Sequence, residues 1–175
     1  KINLQKLNIM KKEIIEKIVD LDNIDYDGTV ESLKEDIDKK FGKWFNINKY
    51  TGFLIITNRQ CIYILIENYQ KCCENWGYEA CKDSGIIETQ DDLKDFIGAE
   101  LISIESIEPG THNGISVYNT LLEEIDYDRS EIAAEFVNIK TSNGLLQFAI
   151  YNCHNGYYGH NIYIVSNQIN IKDYL

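Results

Sequence analysis

The residues best equipped for chemistry lie close together near the end of the chain. Tyr151 to His160, YNCHNGYYGH, gathers two of the three histidines, three tyrosines, two asparagines, two glycines and Cys153 into ten positions. Amides, imidazoles and phenols can donate and accept hydrogen bonds, and the glycines permit tight backbone paths. The aromatic faces could stack a base or another ring, with the hydroxyls meeting phosphate or ribose oxygens. The alternative is structural, with alternate tyrosines burying their rings in a sheet and Gly159 permitting a bulge.

His112-Asn113-Gly114 repeats the tripeptide His154-Asn155-Gly156. If both turns share one rim of a sheet, His112, Asn113, Asn152, His154, Asn155, Tyr157, Tyr158 and His160 form one ligand-binding set; if not, the match is only Asn-Gly turn chemistry. As catalysts, His154 and His160 suit a general acid-base pair of the kind a phosphodiester-cleaving enzyme uses. They lack a repeated His-x-Thr/Ser signature. Cys153 beside His154 is a poor nucleophile and base pair, because neighbours on a strand point to opposite faces. Cys72, Cys73, Cys81 and His154 have the ligand types of a zinc site but no Cys-x-x-Cys pair, so no metal and no cofactor is expected. Trp76 and Tyr78 beside Gly77 suit either one wall of a cleft or a satellite core.

Acidic residues cluster at Asp20, Asp22, Asp25 and Asp27, at Glu88, Asp91, Asp92 and Asp95, and at Glu123, Glu124, Asp126 and Asp128. The first cluster alternates oxygen ligands but lacks the central glycine and final glutamate of a calcium hand. Across 175 residues, 28 acids against 17 lysines and arginines give a net charge of -11. That charge opposes direct binding of duplex DNA, whose partners are normally cationic, and suits either a solubilising surface or the basic groove of a protein partner.

Five cysteines without framework spacing argue against a disulfide-stapled secreted domain and for a reducing cytoplasm. No apolar run approaches the ~18 residues of a membrane span, so no membrane partner is expected. The oligomeric state is open.

The elements that must position these residues divide the chain at Trp44. From Leu4 to Val19, Leu4, Leu7, Met10, Ile14, Ile15 and Ile18 follow helical spacing. A second helix from Thr29 to about Phe41, with an apolar face of Val30, Leu33, Ile37 and Phe41, completes a helical hairpin. Gly52 to Thr57 and Cys61 to Asn68 read as a β-hairpin. The segment Lys71 to Gly85 resists assignment, and Thr89-Gln90-Asp91-Asp92 opens a short helix to Ile97. Further strands are expected at Ala99 to Ile107, Ile115 to Leu122, Ala133 to Thr141, Leu145 to Asn152 and Asn161 to Val165, with a type I′ hairpin turn at Ser142-Asn143-Gly144. The expected fold is therefore α+β: a mostly antiparallel sheet of about six or seven strands, an N-terminal helical hairpin and one short inserted helix. Residues 1-45 form the helical appendage and 46-175 the domain carrying the HNGYYGH loop.

Tyr69 to Gly77 (YQKCCENWG), Asp91 to Glu100, and above all Phe136 to His160 (FVNIKTSNGLLQFAIYNCHNGYYGH) resemble a family of small uncharacterised proteins encoded by phages and bacteria. The resemblance covers about Gly52 to Val165 and leaves out the two N-terminal helices. It implies an accessory protein, with the host cytoplasm as its compartment if phage-encoded, and since the family has no assigned catalytic role it carries over no mechanism. The leading expectation is an anti-defence protein that sequesters a small polar, nucleotide-like ligand without turnover. An acidic inhibitor of a nucleic-acid-binding host defence protein is the alternative, and a histidine-dependent phosphodiesterase a further one.

Overall fold

The computed structural model describes residues 11–23, 28–69, 75–82, 85–87, 90–107, 131–154 and 159–175. They form two five-stranded antiparallel sheets packed face to face. Strands β1 (Ile15–Asp20), β2 (Tyr50–Thr57) and β3 (Cys61–Glu67) open the first sheet. The chain then leaves to build the second from β4 (Asn75–Lys82), β5 (Gly85–Ile86), β6 (Leu101–Ile107), β7 (Glu131–Thr141) and β8 (Gly144–His154). It returns as β9 (Asn161–Val165) and β10 (Asn170–Tyr174). The orders are β1-β2-β3-β9-β10 and β5-β4-β8-β7-β6.

The inner faces explain the packing. Phe53 and Ile55 of β2, Ile62, Ile64 and Ile66 of β3, and Ile162 and Ile164 of β9 meet Ala80, Val137, Ile139, Leu146, Phe148 and Ile150 of the second sheet in one buried cluster. The inward side chains alternate along each strand, as the period of two requires. β1 touches the second sheet at both of its ends. Ile14 bridges Glu100 beside β6, while the Tyr78 hydroxyl on β4 donates to Asp20. A strand that reaches from one side of the facing sheet to the other must cross its strands steeply.

The expected α+β architecture is thus replaced by a β-sandwich, and the helical hairpin is absent. Of the expected first helix, residues 11–19 are described, and from Ile15 they belong to an edge strand, Ile15–Asp20, paired with β2. The cause lies in a β-bulge: Ile15 pairs with Thr57 and Lys17 with Ile56, so Glu16 is an extra residue. The bulge turns Ile15 and Ile18, three positions apart, toward the same core, and mimics helical spacing. The expected second helix exists as α1 (Thr29–Ser32) and α2 (Lys34–Phe41), interrupted at Leu33. It packs on the outer face of the first sheet, where Ile37, Leu33 and Phe41 meet Leu54, Tyr63 and Leu65. The short inserted helix is a 3-10 segment, Gln90–Phe96, whose Leu93 and Phe96 join the main core.

The β2–β3 hairpin lies where the sequence places it. In the β7–β8 hairpin Thr141 pairs with Gly144, so the two turn residues are Ser142 and Asn143 rather than Asn143 and Gly144. Strands β1, β4, β5 and β10 had no counterpart in the sequence reading, and the expected strand from Ile115 to Leu122 lies outside the described residues.

Candidate functional site

The motif that dominates the sequence divides in the structure. Asn152 and Cys153 are buried near the end of β8, and His154 closes that strand opposite Glu131. The Asn152 side-chain amide donates to the Leu175 carbonyl at 3.1 Å. His160 is fully buried, with its ring 4.7 Å from that of Trp76 and 5.2 Å from that of Tyr69. Its Nδ1 lies 2.7 Å from the Glu67 carbonyl, and since a carbonyl only accepts, Nδ1 carries the proton. The backbones of His160 and Leu175 exchange two hydrogen bonds, at 2.7 and 3.0 Å. Gly159 makes this approach feasible, because a Cβ there would lie 2.4 Å from the Tyr174 ring and 2.5 Å from the Leu175 oxygen. Asn152, Gly159 and His160 therefore fasten Tyr174 and Leu175 to the start of β9. His112, Asn113, Asn155, Tyr157 and Tyr158 lie outside the described residues, as does any meeting of the two HNG turns.

A cleft of about 380 Å³ opens elsewhere, where the two sheets part. β4 pairs with β8 along its whole length but with β5 only at Cys81 and Lys82. Among the described residues, no strand pairs with the other edge of β4 from Asn75 to Glu79. Opposite that edge β1 ends, and the 3-10 turn Leu21–Asn23 begins. Asp20 comes from the end of β1, Asp22 from this turn, Thr51 and Phe53 from β2, Trp76, Tyr78 and Glu79 from β4, and Tyr151 from β8.

Hydrogen bonds fix the acidic wall. Asp20 Oδ1 accepts from the Tyr78 hydroxyl at 2.5 Å and from the Asp22 backbone N–H at 3.1 Å. The Thr51 hydroxyl donates to Asp22 Oδ1. Burial raises the Tyr78 phenol far above its ordinary range, and the hydrogen bond to Asp20 raises it further, so Tyr78 remains a protonated donor at neutral pH. On the other wall Tyr151 stands opposite Gly77 in register, and a Cβ on Gly77 would lie 2.8 Å from the Tyr151 hydroxyl. Glycine here lets the tyrosine lie across the strand.

Among the described residues, the lining thus holds three carboxylates, four aromatic side chains and no lysine, arginine or histidine. Such a surface attracts a positive group through charge and through the negative faces of the rings. It offers little to a nucleotide phosphate. Nucleophilic chemistry has weak support among the described cysteines: burial raises the Cys61 and Cys153 thiols, and burial with Glu79 nearby pushes Cys81 up to about 11. Cys72 and Cys73 of the considered zinc set lie outside the described residues, and among the described ones no three metal-binding side chains converge.

Sequence reasoning left Trp76 and Tyr78 between a cleft wall and a satellite core; in the structure both pack against the main core and also line the cleft. It treated Asp20 and Asp22 only as part of an acidic run, and no local signal pointed to Thr51 or Tyr151 as their companions. Asp92 and Asp95 of the second run pair with Lys82 at 3.6 and 3.0 Å, and Asp91 pairs with Lys94 at 2.5 Å. Asp25, Asp27, Glu88 and the third run lie outside the described residues.

A model of the family described as Domain of unknown function (DUF7448) matches residues 11–164. The match starts well before Gly52 and takes in β1 and both helices. No curated protein and no solved structure matches the chain. No helix of the described residues is long and apolar enough to cross a membrane.

Proposed function

The chain belongs to this family of unassigned function, and from the cleft we propose that it acts by binding, taking a positively charged group of a basic partner between Asp20, Asp22 and Glu79. The observation that carries this reading is the lining itself, in which, among the described residues, carboxylates and aromatic faces meet without a cationic side chain. An ammonium or guanidinium is the group that such a site selects, since it satisfies the carboxylates and lies favourably against Trp76, Tyr78 or Tyr151. The overall charge of -11 would draw a basic protein surface toward the cleft before contact. Of the roles raised by the sequence, the acidic inhibitor of a basic, nucleic-acid-binding protein agrees with this chemistry.

Calorimetric titration with a short arginine-rich peptide tests the reading. Saturable binding should weaken as salt rises, and should fall at least ~10-fold in a variant carrying Asp20→Asn, Asp22→Asn and Glu79→Gln. Equal binding by that variant would place the peptide elsewhere and defeat the proposal.

A further inference from the structure

The cleft does not lie on a sheet face. Side chains on one face of a strand come at every second position. Yet Trp76, Gly77, Tyr78, Glu79 and Ala80 of β4 all border the cleft. Consecutive residues can do so only where the cleft runs along the edge of the strand, reaching its backbone as well as both of its faces.

The pairing pattern identifies the backbone groups that lie there. In an antiparallel sheet the N–H and C=O of successive residues point to opposite sides of the strand. The Ala80 carbonyl accepts from the Ile87 N–H at 2.8 Å, on the side where β5 pairs. The β4–β8 register runs without a shift from Asn75 to Lys82. The N–H and C=O of Tyr78, two residues before Ala80, therefore point away from β8 as well, into the cleft. β5 pairs with β4 only at Cys81 and Lys82, and no strand among the described residues takes up the Tyr78 groups on that side. An open edge of this kind is a template for one more strand.

Carboxylates stand on both sides of this edge. The Tyr78 side chain turns inward, where its hydroxyl meets Asp20, with Asp22 beside it. Asp22 is exposed and Asp20 half-buried. Glu79, one position further along β4, belongs to the opposite face. So does Tyr151, which packs with Cys81, Phe136 and Ala149 and reaches over Gly77. A strand laid along β4 would send one side chain toward Asp20 and Asp22 and the next toward Glu79 and Tyr151.

We propose that the basic partner enters as an extended segment that adds to β4 as an edge strand, hydrogen-bonded to the Tyr78 backbone, with successive cationic side chains divided between the carboxylates of the two faces. This rests on the cleft being a site for positive groups, and it adds the form in which they arrive. Charge complementarity selects a basic segment over a second copy of this chain, which would bring its own net charge of -11 to an acidic edge. Main-chain bonds would supply affinity and the carboxylates would choose the side chains. Five residues of strand reach roughly 17 Å, so a pentapeptide is long enough to pass Tyr78 on both sides.

Calorimetric titration with three forms of pentaarginine tests this: unmodified, N-methylated at alternate amides, and N-methylated at every amide. An added strand bonds β4 along one of its two edges only. The alternately methylated peptide keeps one edge intact and should bind within about threefold of the unmodified one, while the fully methylated peptide should lose at least ~10-fold, the scale of one or two main-chain hydrogen bonds. Equal binding by all three forms, or equal loss by both methylated forms, would overturn the proposal. So would a wild-type dimer in sedimentation velocity that the Asp20→Asn, Asp22→Asn, Glu79→Gln variant turns into a monomer, since that would give the edge to a second copy. The same triple variant separates the two readings. If it loses unmodified pentaarginine while wild type binds all three forms alike, only strand addition falls; if it binds unmodified pentaarginine as wild type does, or if wild type binds none, the cleft reading falls and strand addition with it.

Discussion

Two regions of this molecule meet at Trp76, and they differ in how they are built. Against one part of its ring lies His160, buried, bonded to the Glu67 carbonyl and tied by its backbone to Leu175. On another side Trp76 lines the acidic cleft. The first region comes from a dense local motif; the second is assembled from positions 20, 22, 51, 76 to 79 and 151. The difference teaches that reactive-looking residues such as Asn152 and His160 can serve to close a fold, whereas the cleft proposed for recognition is scattered through the sequence without a motif. Buried imidazoles and amides need hydrogen bonds, and the corner supplies the Leu175 carbonyl to the Asn152 amide and the Glu67 carbonyl to His160 Nδ1.

Substitutions should separate the two regions, beginning with the strongest. His160→Ala removes a fully buried ring and its bond to Glu67, and should cost about 3 kcal/mol by denaturant unfolding while leaving peptide binding at the cleft intact. Loss of binding in the folded variant would show that the corner and the cleft are coupled through Trp76. Gly159→Ala forces a methyl group against Tyr174 and the Leu175 carbonyl and should cost roughly 2 kcal/mol, with a lower Tm and unchanged binding. Tyr78→Phe deletes the donor to Asp20 and should cost about 1.5 kcal/mol, together with a change in peptide affinity that neither corner variant produces. Asp22→Asn retains an acceptor for Thr51, so stability should shift by less than about 0.5 kcal/mol while affinity falls. A large stability loss there would mean that the acidic wall is structural.

The tyrosines give the comparison a pH axis. Burial raises the phenols of Tyr50, Tyr63 and Tyr78 above the ordinary tyrosine value of about 10. The unfolded chain therefore releases these protons first, and the stability they confer is complete below about pH 10 and declines as pH rises beyond it. Absorbance at 295 nm should show these rings ionising together with unfolding. Titration of Tyr78 in the folded protein would show that its burial and its bond to Asp20 do not persist in solution.

Much of the sheet was legible because regular alternation reports a pleated strand: β2, β3, β8 and β9 were placed closely. β1 was not, since its bulge puts Ile15 and Ile18 on one face at a helical interval. The same device recurs in β6, where a register shift between Leu101 and Ser103 turns Leu101 and Ile104 into the core and leaves Ile102 exposed. β4 was illegible because its composition is that of a cleft wall, with glycine and large aromatics in place of aliphatic alternation. Trp76 and Tyr78 were readable only as either wall or core residues, while Thr51 and Tyr151 became cleft residues only through strand register and the crossing of the sheets.

The most direct test of the cleft uses its own tryptophan. The chain has two, so in the Trp44→Phe variant Trp76 is the sole indole and reports from the cleft wall. Titration with spermidine should change its fluorescence saturably, with an apparent affinity that falls as salt is added and is lost in the Asp20→Asn, Asp22→Asn, Glu79→Gln background. An unchanged signal, or one equally strong without those carboxylates, would contradict the assignment of this cleft to positive groups.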